Sequence, residues 1–391
     1  MPKDAPSCIR ELQKSGWYTE LIGKTHWSNH RNSSDLRTNR ELLECLGFNK
    51  ANEIAGPKAL QHIKCKLTDL WEENGLMEAY KLDLERRYKS IDRNQAWKVK
   101  PSILPNELYP DLWVAQKGEE ALINMPQDQP WLLWISFVGP HEPFDTPSDW
   151  NITSSREIPQ AVKLAPWIKE LSDETCLKRT YNKWNKLLSA KEINELRRDY
   201  ANHLCLLDDQ IERLLKALSK RKDDKNTAIA ITSDHGEMLG DHGMLYKGTF
   251  LEPSIRVPFI YRAATNEEVE QDWISNPIGL TDAFQKMINV HKRNESSRAL
   301  AEEIRLKPYV CVEFDKELLI IKKAKKLCLN EKGQPLWATQ IKRDPQEQEN
   351  LIGIKNDILK TNNSWARLLK IGQQEVKKRK SNEWLWRDCK L

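Results

Sequence analysis

The chain has 391 residues, of which 39% are hydrophobic and 30% are charged, and its formal net charge is +5 at pH 7. This balance is ordinary for a soluble globular protein, and so small a net charge argues against nucleic acid as a partner. No apolar stretch reaches the roughly 18 residues that a membrane helix needs, and residues 1–16 carry no apolar signal core. The sequence therefore favours the cytoplasm, although the compartment stays open.

The first predicted strand ends in two basic residues. Residues 6–15 have the spacing of a helix that Gly16 would end, and residues 17–22 favour a strand that runs into Gly23-Lys24-Thr25-His26. Lys24 and His26 point the same way if the extended geometry continues. A lysine suits an anion as a point charge, and a histidine suits it as a donor or proton carrier. The alternative is an exposed strand end without a ligand.

A second strand end delivers His141. Residues 29–110 are polar and helix-prone, and we expect them to form a helical and loop insertion over one edge of the site. After a predicted helix over 111–125, the apolar residues 131–138 predict a strand that is buried on both faces. This strand ends at Gly139-Pro140-His141. A histidine that only caps the strand is the alternative to a functional one.

A third strand end carries Asp234 and His235. A long helix is predicted over 196–218, and a buried strand over 227–233 leads into the adjacent Asp and His. Together they offer one hard oxygen and one imidazole nitrogen to a divalent cation. Further along the pliable loop, Lys247 brings a cation back towards the same place. A surface turn with solvated charges is the alternative for this pair taken alone.

The remaining residues, 263–391, predict a smaller unit of a different kind. Strands at 309–313, 318–321, 326–329 and 336–341 alternate with turn residues as antiparallel strands do, and a helix follows them. The fold class is therefore α/β, with a doubly wound, mostly parallel sheet in residues 1–262 and a C-terminal α+β subdomain in 263–391.

In such a sheet the strand ends meet at one edge, which is where ligands bind. We therefore expect one site to contain the polar residues of all the strand ends: Lys24, His26, His141, Asp234, His235 and Lys247. Two lysines, several histidines and a carboxylate suit a metal-assisted site for a tetrahedral oxyanion ester. These residues do not separate sulfate from phosphate.

The motifs resemble those of the sulfatase family of the alkaline phosphatase superfamily. The similar stretches are GWYTELIGKTHW, WISFVGPHEPFDTP, TSDHGEMLGDHGMLYK with LEPSIRVPFI, and DPQEQENL. The resemblance implies an alkaline-phosphatase-like fold, a small sulfate-ester substrate, and Asp234 and His235 as metal ligands. It also implies that Lys24 and Lys247 hold the sulfate oxygens, that His26 lies near the nucleophile and that His141 faces the leaving-group oxygen.

The histidine at 235 bears on the metal and on the branch of the family. Many sulfatases have asparagine where this chain has His235, and the histidine version is similar to choline-sulfatases and phosphonate monoester hydrolases. A nitrogen ligand makes Mn²⁺ as plausible as Ca²⁺. A hydrolase of phosphonate monoesters or phosphodiesters is therefore a second interpretation.

The chain departs from the family at the nucleophile. Sulfatases use a Cys or Ser in a Cys/Ser-x-Pro/Ala-x-Arg motif, whereas Cys8 here is followed by Ile9-Arg10-Glu11 and no such motif occurs in the sequence. The family's first strand, with its metal-binding aspartates, is also missing. We therefore expect a truncated sulfatase that binds metal weakly and is inactive or impaired by itself. A non-catalytic binding protein is the third interpretation; the natural ester and the oligomeric state stay open.

Overall fold

A computed structural model describes residues 1–28, 30, 34–88, 97–152, 157–184, 188–264, 277–292, 308–353 and 358–381. The chain divides into two compact units. The first contains Met1–Pro159 and Ala190–Thr227, and the second contains Gln160–Ser189 and Ala228–Leu391. The sequence-based boundary at residue 262 and the insertion over 29–110 stay predictions.

The first unit is built on a parallel sheet of three strands, in the order β2-β1-β3. These strands are β1 (Tyr18–Lys24), β2 (Lys50–Ile54) and β3 (Trp131–Ser136). Both pairings of β1 are parallel, with Gly23 opposite Glu53 on one side and Ser136 on the other. The three strands therefore end at the same edge of the sheet. A Cβ at Gly23 would overlap the Ser136 carbonyl, so this close approach needs glycine.

Helices cover this sheet, and one of them packs closely on β3. The helices of both units are α1 (Cys8–Lys14), α2 (Arg40–Leu46), α3 (Pro57–Leu60), α4 (Lys66–Glu73), α5 (Met77–Tyr88), α6 (Pro110–Asn124), α7 (Trp167–Glu170), α8 (Cys176–Trp184), α9 (Ala190–Ser219), α10 (Glu252–Ile255), α11 (Leu280–Lys292), α12 (Ile358–Thr361) and α13 (Asn363–Ser381). A Cβ at Gly118 of α6 would lie 2.9 Å from Ile135 Cδ1 and 3.0 Å from Leu214 Cδ2. Gly118 thus lets α6 lie tightly between β3 and α9. Within the described ranges, no helix is long and apolar enough to cross a membrane.

The second unit contains two antiparallel sheets. Strand β4 (Ile229–Thr232) pairs with β5 (Phe259–Arg262), and four further strands pair in sequence order: β6 (Val310–Phe314), β7 (Glu317–Lys322), β8 (Lys325–Asn330) and β9 (Pro335–Gln340). Helix α13 packs on this second sheet, where Trp365 joins Leu318, Ile320 and Leu327 in one buried cluster. The α/β class, with a parallel sheet and a separate antiparallel sheet plus helix, is confirmed.

Two strands are less buried than their sequences predict. The apolar runs around β3 and β4 favour burial on both faces, yet every residue of both strands is only half-buried. In the part of the chain that the structure describes, each strand has a hydrogen-bonded neighbour on one side only. The prediction of full burial was wrong because it assumed that both strands lie in the middle of a sheet.

A buried ion network holds the second unit together around Lys326, whose side chain is completely buried. Its Nζ lies 2.8 Å from Glu347 Oε1 and 3.1 Å from Glu252 Oε1. Glu347 also accepts a hydrogen bond from Thr339 Oγ1 at 3.0 Å, and its other oxygen accepts one from the Glu252 amide at 2.8 Å. Because the ammonium sits between two carboxylates, this lysine fastens the strands to the loop that carries α10.

Candidate active site

The end of β1 forms a cationic cluster with a histidine that the sequence did not single out. Lys24 is the last residue of β1, and the rings of His26 and His30 lie 5.8 Å apart. Burial lowers the pKa of His30, and the nearby positive charge of Lys24 lowers it further. A lysine close to two imidazoles is an arrangement that suits an anion. His30 carried no sequence signal because it follows the strand at no regular spacing.

A buried carboxylate flanks this cluster. Glu53, near the end of β2, is opposite Gly23 and accepts a hydrogen bond from Thr25 Oγ1. Burial raises the pKa of Glu53, and the bond from Thr25 partly offsets that rise. The carboxylate therefore holds the Thr25 side chain, between Lys24 and His26, and it takes up a proton more readily than an exposed glutamate would.

His141 lies on the loop that follows β3, at the same sheet edge as Lys24. Cis peptide bonds precede Pro140 and Pro143 on either side of it. The imidazole Nδ1 lies 2.7 Å from the Glu142 carbonyl oxygen and 3.0 Å from the Glu142 carboxylate. Both partners are acceptors, so Nδ1 carries the proton and Nε2 is directed away from them. This fixed tautomer suits a residue that exchanges a proton through Nε2 once it becomes charged.

A small cavity lies directly behind His141 in the first unit. His141, Tyr109, Asp111, Asp145 and His203 all contribute to its lining. Burial raises the pKa of Asp145 to about 7, an effect that the charges of Arg87 and His203 only partly offset. Tyr109 Oη donates to Asp145 Oδ1 at 3.2 Å. The loop that bears His141 therefore packs against buried ionisable groups as well as apolar side chains.

In the second unit, Asp234 and His235 follow β4 directly. His235 Nδ1 lies 2.8 Å from the Gly236 carbonyl oxygen, which requires a proton on Nδ1. His235 Nε2 then faces the Asp234 carboxylate, whose Oδ2 is 3.6 Å away. The Asp234 side chain is 68% exposed and that of His235 is 35% exposed.

This oxygen and nitrogen pair fits a divalent cation, because the Nδ1 hydrogen bond orients Nε2 as metal-ligating histidines are oriented. Within the described ranges, no group of three or more His, Cys, Asp or Glu residues could hold an ion. Asp234 and His235 therefore fit part of a metal site rather than a complete one.

The loop after His235 folds back on itself in the stretch that leads to Lys247. The Gly236 amide donates to the Ser254 carbonyl at 2.7 Å, and the Met238 amide donates to the Tyr246 carbonyl at 3.0 Å. Glu237 Oε1 accepts from the Tyr246 amide as well. Gly236 lies so close to Pro253 that a Cβ there would overlap the Pro253 carbonyl. Lys247 therefore sits on a braced turn.

A second Asp-His pair in this loop is structural. Asp241 Oδ1 accepts from the Val162 amide at 2.8 Å, and the His242 amide donates to the Val162 carbonyl at 2.8 Å. His242 Nδ1 accepts from the Ala165 amide at 3.3 Å. Burial lowers the pKa of His242 to about 4, so its imidazole is neutral near pH 7. This pair fastens residues 162–165 to the loop.

The expected site residues thus fall into two groups. Lys24, His26 and His141 lie in the first unit, where parallel strands bring them to one sheet edge. The others, Asp234, His235 and Lys247, belong to the second unit. Their convergence into a single site stays a prediction.

Comparison with known proteins decides the family, because a sequence model of the sulfatase family matches residues 2–288. The chain belongs to the sulfatase family. It is 28% identical to an arylsulfatase of Clostridium perfringens over 64% of this chain and 50% of that protein. It is 24% identical to a choline-sulfatase of Rhizobium meliloti over 65% of this chain and 47% of that protein. This sulfatase chain therefore spans about half the length of these curated relatives.

The fold of this sulfatase chain is also that of solved hydrolases. A phosphonate monoester hydrolase from Silicibacter pomeroyi superposes with a TM-score of 0.65 at 18% identity, covering 98% of this chain and 81% of that one. The corresponding enzyme from Agrobacterium radiobacter superposes with a TM-score of 0.62 at 17% identity, covering 96% and 80%. Identities this low establish the shared fold alone.

Proposed function

We propose that this sulfatase chain carries the oxyanion-binding and leaving-group parts of a metal-assisted sulfate-ester hydrolase. The observation that carries the proposal is the shared sheet edge of the first unit, where a lysine beside two imidazoles and the oriented His141 follow neighbouring parallel strands. Membership of the sulfatase family supports sulfate as the anion.

Each residue has a separate task in this proposal. Lys24 and Lys247 bind sulfate oxygens as point charges. His26 lies beside the attacking group, and His141 gives a proton to the leaving oxygen through Nε2. Asp234 and His235 supply two ligands to Ca²⁺ or Mn²⁺. When bound, the ion would polarise the ester oxygens as a Lewis acid.

Turnover also needs a nucleophile, and these 391 residues contain no Cys/Ser-x-Pro/Ala-x-Arg motif. We therefore propose that the chain by itself binds sulfate and a divalent cation weakly and hydrolyses esters slowly or not at all.

Isothermal titration of the full chain with sodium sulfate, with and without Mn²⁺ or Ca²⁺, tests binding. Lys24→Ala and Lys247→Ala should each weaken sulfate binding about tenfold, since each removes a charge that touches the anion. Lys14→Ala and Lys332→Ala are matched controls on exposed positions and should leave binding unchanged. Equal binding by Lys24→Ala and Lys14→Ala would contradict the proposal.

The second candidate is hydrolysis of phosphonate monoesters or phosphodiesters, and His235 is the observation that favours it. Parallel assays with an aryl sulfate, an aryl phosphonate and an aryl phosphodiester distinguish the two functions in any form of the protein that turns over. If no ester is hydrolysed while sulfate binds tightly, the chain is a non-catalytic binding protein.

A further inference from the structure

Asp111, at the start of α6, joins the backbone of the His141 loop to a buried histidine. Its side chain is 2% exposed. Asp111 Oδ1 accepts hydrogen bonds from the amides of Val138 at 2.6 Å and Gly139 at 3.0 Å. Oδ2 lies 3.1 Å from the Gly139 amide and 2.9 Å from His203 Nε2. One carboxylate therefore holds two consecutive amides that lie two and three residues before His141.

His203, in the middle of α9, is the fixed partner of that carboxylate. Its side chain is 3% exposed, and its ring lies 5.9 Å from the ring of Tyr109. Because Nε2 faces a carboxylate oxygen, it carries a proton and donates. Burial lowers the pKa of His203, but the hydrogen bond and charge of Asp111, with the charges of Asp145 and Asp199, outweigh burial and raise it. The surrounding carboxylates therefore favour the charged form of the buried His203 imidazole.

The contact between this pair and the loop leaves no room for a side chain at Gly139. A Cβ added at Gly139 would overlap His203 Nε2 and would lie 2.6 Å from Asp111 Oδ2. The backbone at Gly139 is therefore pressed against the ion pair and cannot shift towards α9. Since His141 is two residues further along, its position follows from where the pair lies.

A buried ion pair is a poor way to gain stability, because apolar side chains of the same volume often do as well or better. Within the described residues, Asp111 bonds to His203 and to the amides of Val138 and Gly139. The pair therefore contributes geometry to this loop rather than stability to the core.

We propose that Asp111 and His203 are positioning residues that set the orientation of His141 towards the leaving oxygen of the bound ester. The proposal rests on the proposed function for the role of His141, whereas the mechanical link between the pair and His141 can be measured independently. Asp111 and His203 do not touch the ester.

The test compares variants of the full chain labelled with ¹³C at histidine Cε1. His141→Gln assigns the His141 resonance. Asp111→Asn and His203→Leu should both shift that resonance and speed hydrogen exchange of the Gly139 amide at least tenfold. Both variants disrupt the hydrogen bonds that join His203, Asp111 and the loop backbone. His203→Gln keeps a donor for Asp111 and should restore the wild-type resonance.

Asp199→Asn is the matched control. Asp199 is also on α9, it is buried, and its charge acts on His203. Its carbonyl oxygen accepts from Thr146 Oγ1 rather than from the backbone of residues 138–141, so its variant should leave the His141 resonance and the Gly139 exchange rate unchanged. A purely structural role for the pair predicts lower melting temperatures with the His141 resonance unmoved in every variant, and that result would overturn the proposal. His203→Leu and His203→Gln decide the question if Asp111→Asn does not fold.

Sulfate titration of the same variants adds the link to function. Asp111→Asn and His141→Gln should weaken sulfate binding by similar factors, and the double variant should be no weaker than either single variant, since both act through one side chain. If wild-type protein does not bind sulfate, the proposed function fails, while the His141 resonance still decides whether the pair positions the loop. Additive losses in the double variant count against positioning.

Discussion

Acid should loosen the second unit through one buried imidazole, His242. The side chain of His242 is buried, its Nδ1 accepts from the Ala165 amide, and its ring also bonds the backbone of Gln346. Burial lowers the pKa of His242 from 6.5 to about 4, helped by Lys326 and opposed by Asp344 and the Gln346 bond. Protonation must break the bond that Nδ1 accepts.

The direction in which stability changes with pH follows from the pKa of His242 in the folded and unfolded chains. The pKa is lower in the folded state, so the unfolded chain takes up the proton first as the pH falls. The stabilisation is complete above about pH 6.5 and is lost as the pH falls towards 4. One pH unit corresponds to about 1.36 kcal/mol, so the full loss is about 3 kcal/mol, of which about 2 kcal/mol is lost between pH 8 and pH 5.

The assay is urea unfolding at pH 8 and pH 5, read by pulsed hydrogen exchange of β7 and β8, which belong to the second unit. His242→Gln can still accept from Ala165 but cannot be protonated, so its stability should change about 2 kcal/mol less between the two pH values than that of the wild type. His62→Gln, at an exposed position, is the control and should behave as the wild type. An identical pH dependence for His242→Gln and the wild type would refute the reasoning.

Three further changes have outcomes that the structure sets. Lys326→Met should lower the free energy of unfolding of the second unit by about 3–5 kcal/mol, because two carboxylates lose their buried partner; urea unfolding measures it. The pKa of Asp145 is about 7 in the folded chain, so the first unit should lose stability as the pH rises from about 4 to 7. Asp145→Asn should abolish that loss, which urea titrations at pH 5 and pH 8 measure. Gly139→Ala should cost about 1–3 kcal/mol by overpacking, whereas Gly353→Ala, with nothing within 4 Å of the added Cβ, should change the melting temperature little; calorimetry compares them.

The sequence predicted the elements whose hydrophobic pattern is strong. The strand that became β1, the long helix α9 and the antiparallel sheet of the second unit all have clear periodicity, and all three are present. Strand β2 was missed because its sequence, Lys50-Ala51-Asn52-Glu53-Ile54, has no apolar alternation and becomes a strand by pairing with β1.

The sequence predicted that Lys24, His141 and Asp234 lie at or just after strand ends, and they do; their roles in one site stay predictions. The supporting groups were not predictable, because their meaning depends on contacts between distant segments. Asp111 and His203 are 92 positions apart and meet only when α6 and α9 pack. Their signal in the sequence was weak: a polar side chain at the first turn of one helix and a histidine on the apolar side of another.

The close contact between Gly139 and His203 has an evolutionary consequence. A relative with alanine at the position of Gly139 has room for its methyl group only if a smaller side chain replaces the imidazole opposite. Losing that imidazole in turn leaves the Asp111 carboxylate without the hydrogen bond from His203 Nε2. Positions 111, 139 and 203 should therefore change together during divergence. Correlated substitution at these positions among sulfatases would be the evolutionary record of this contact.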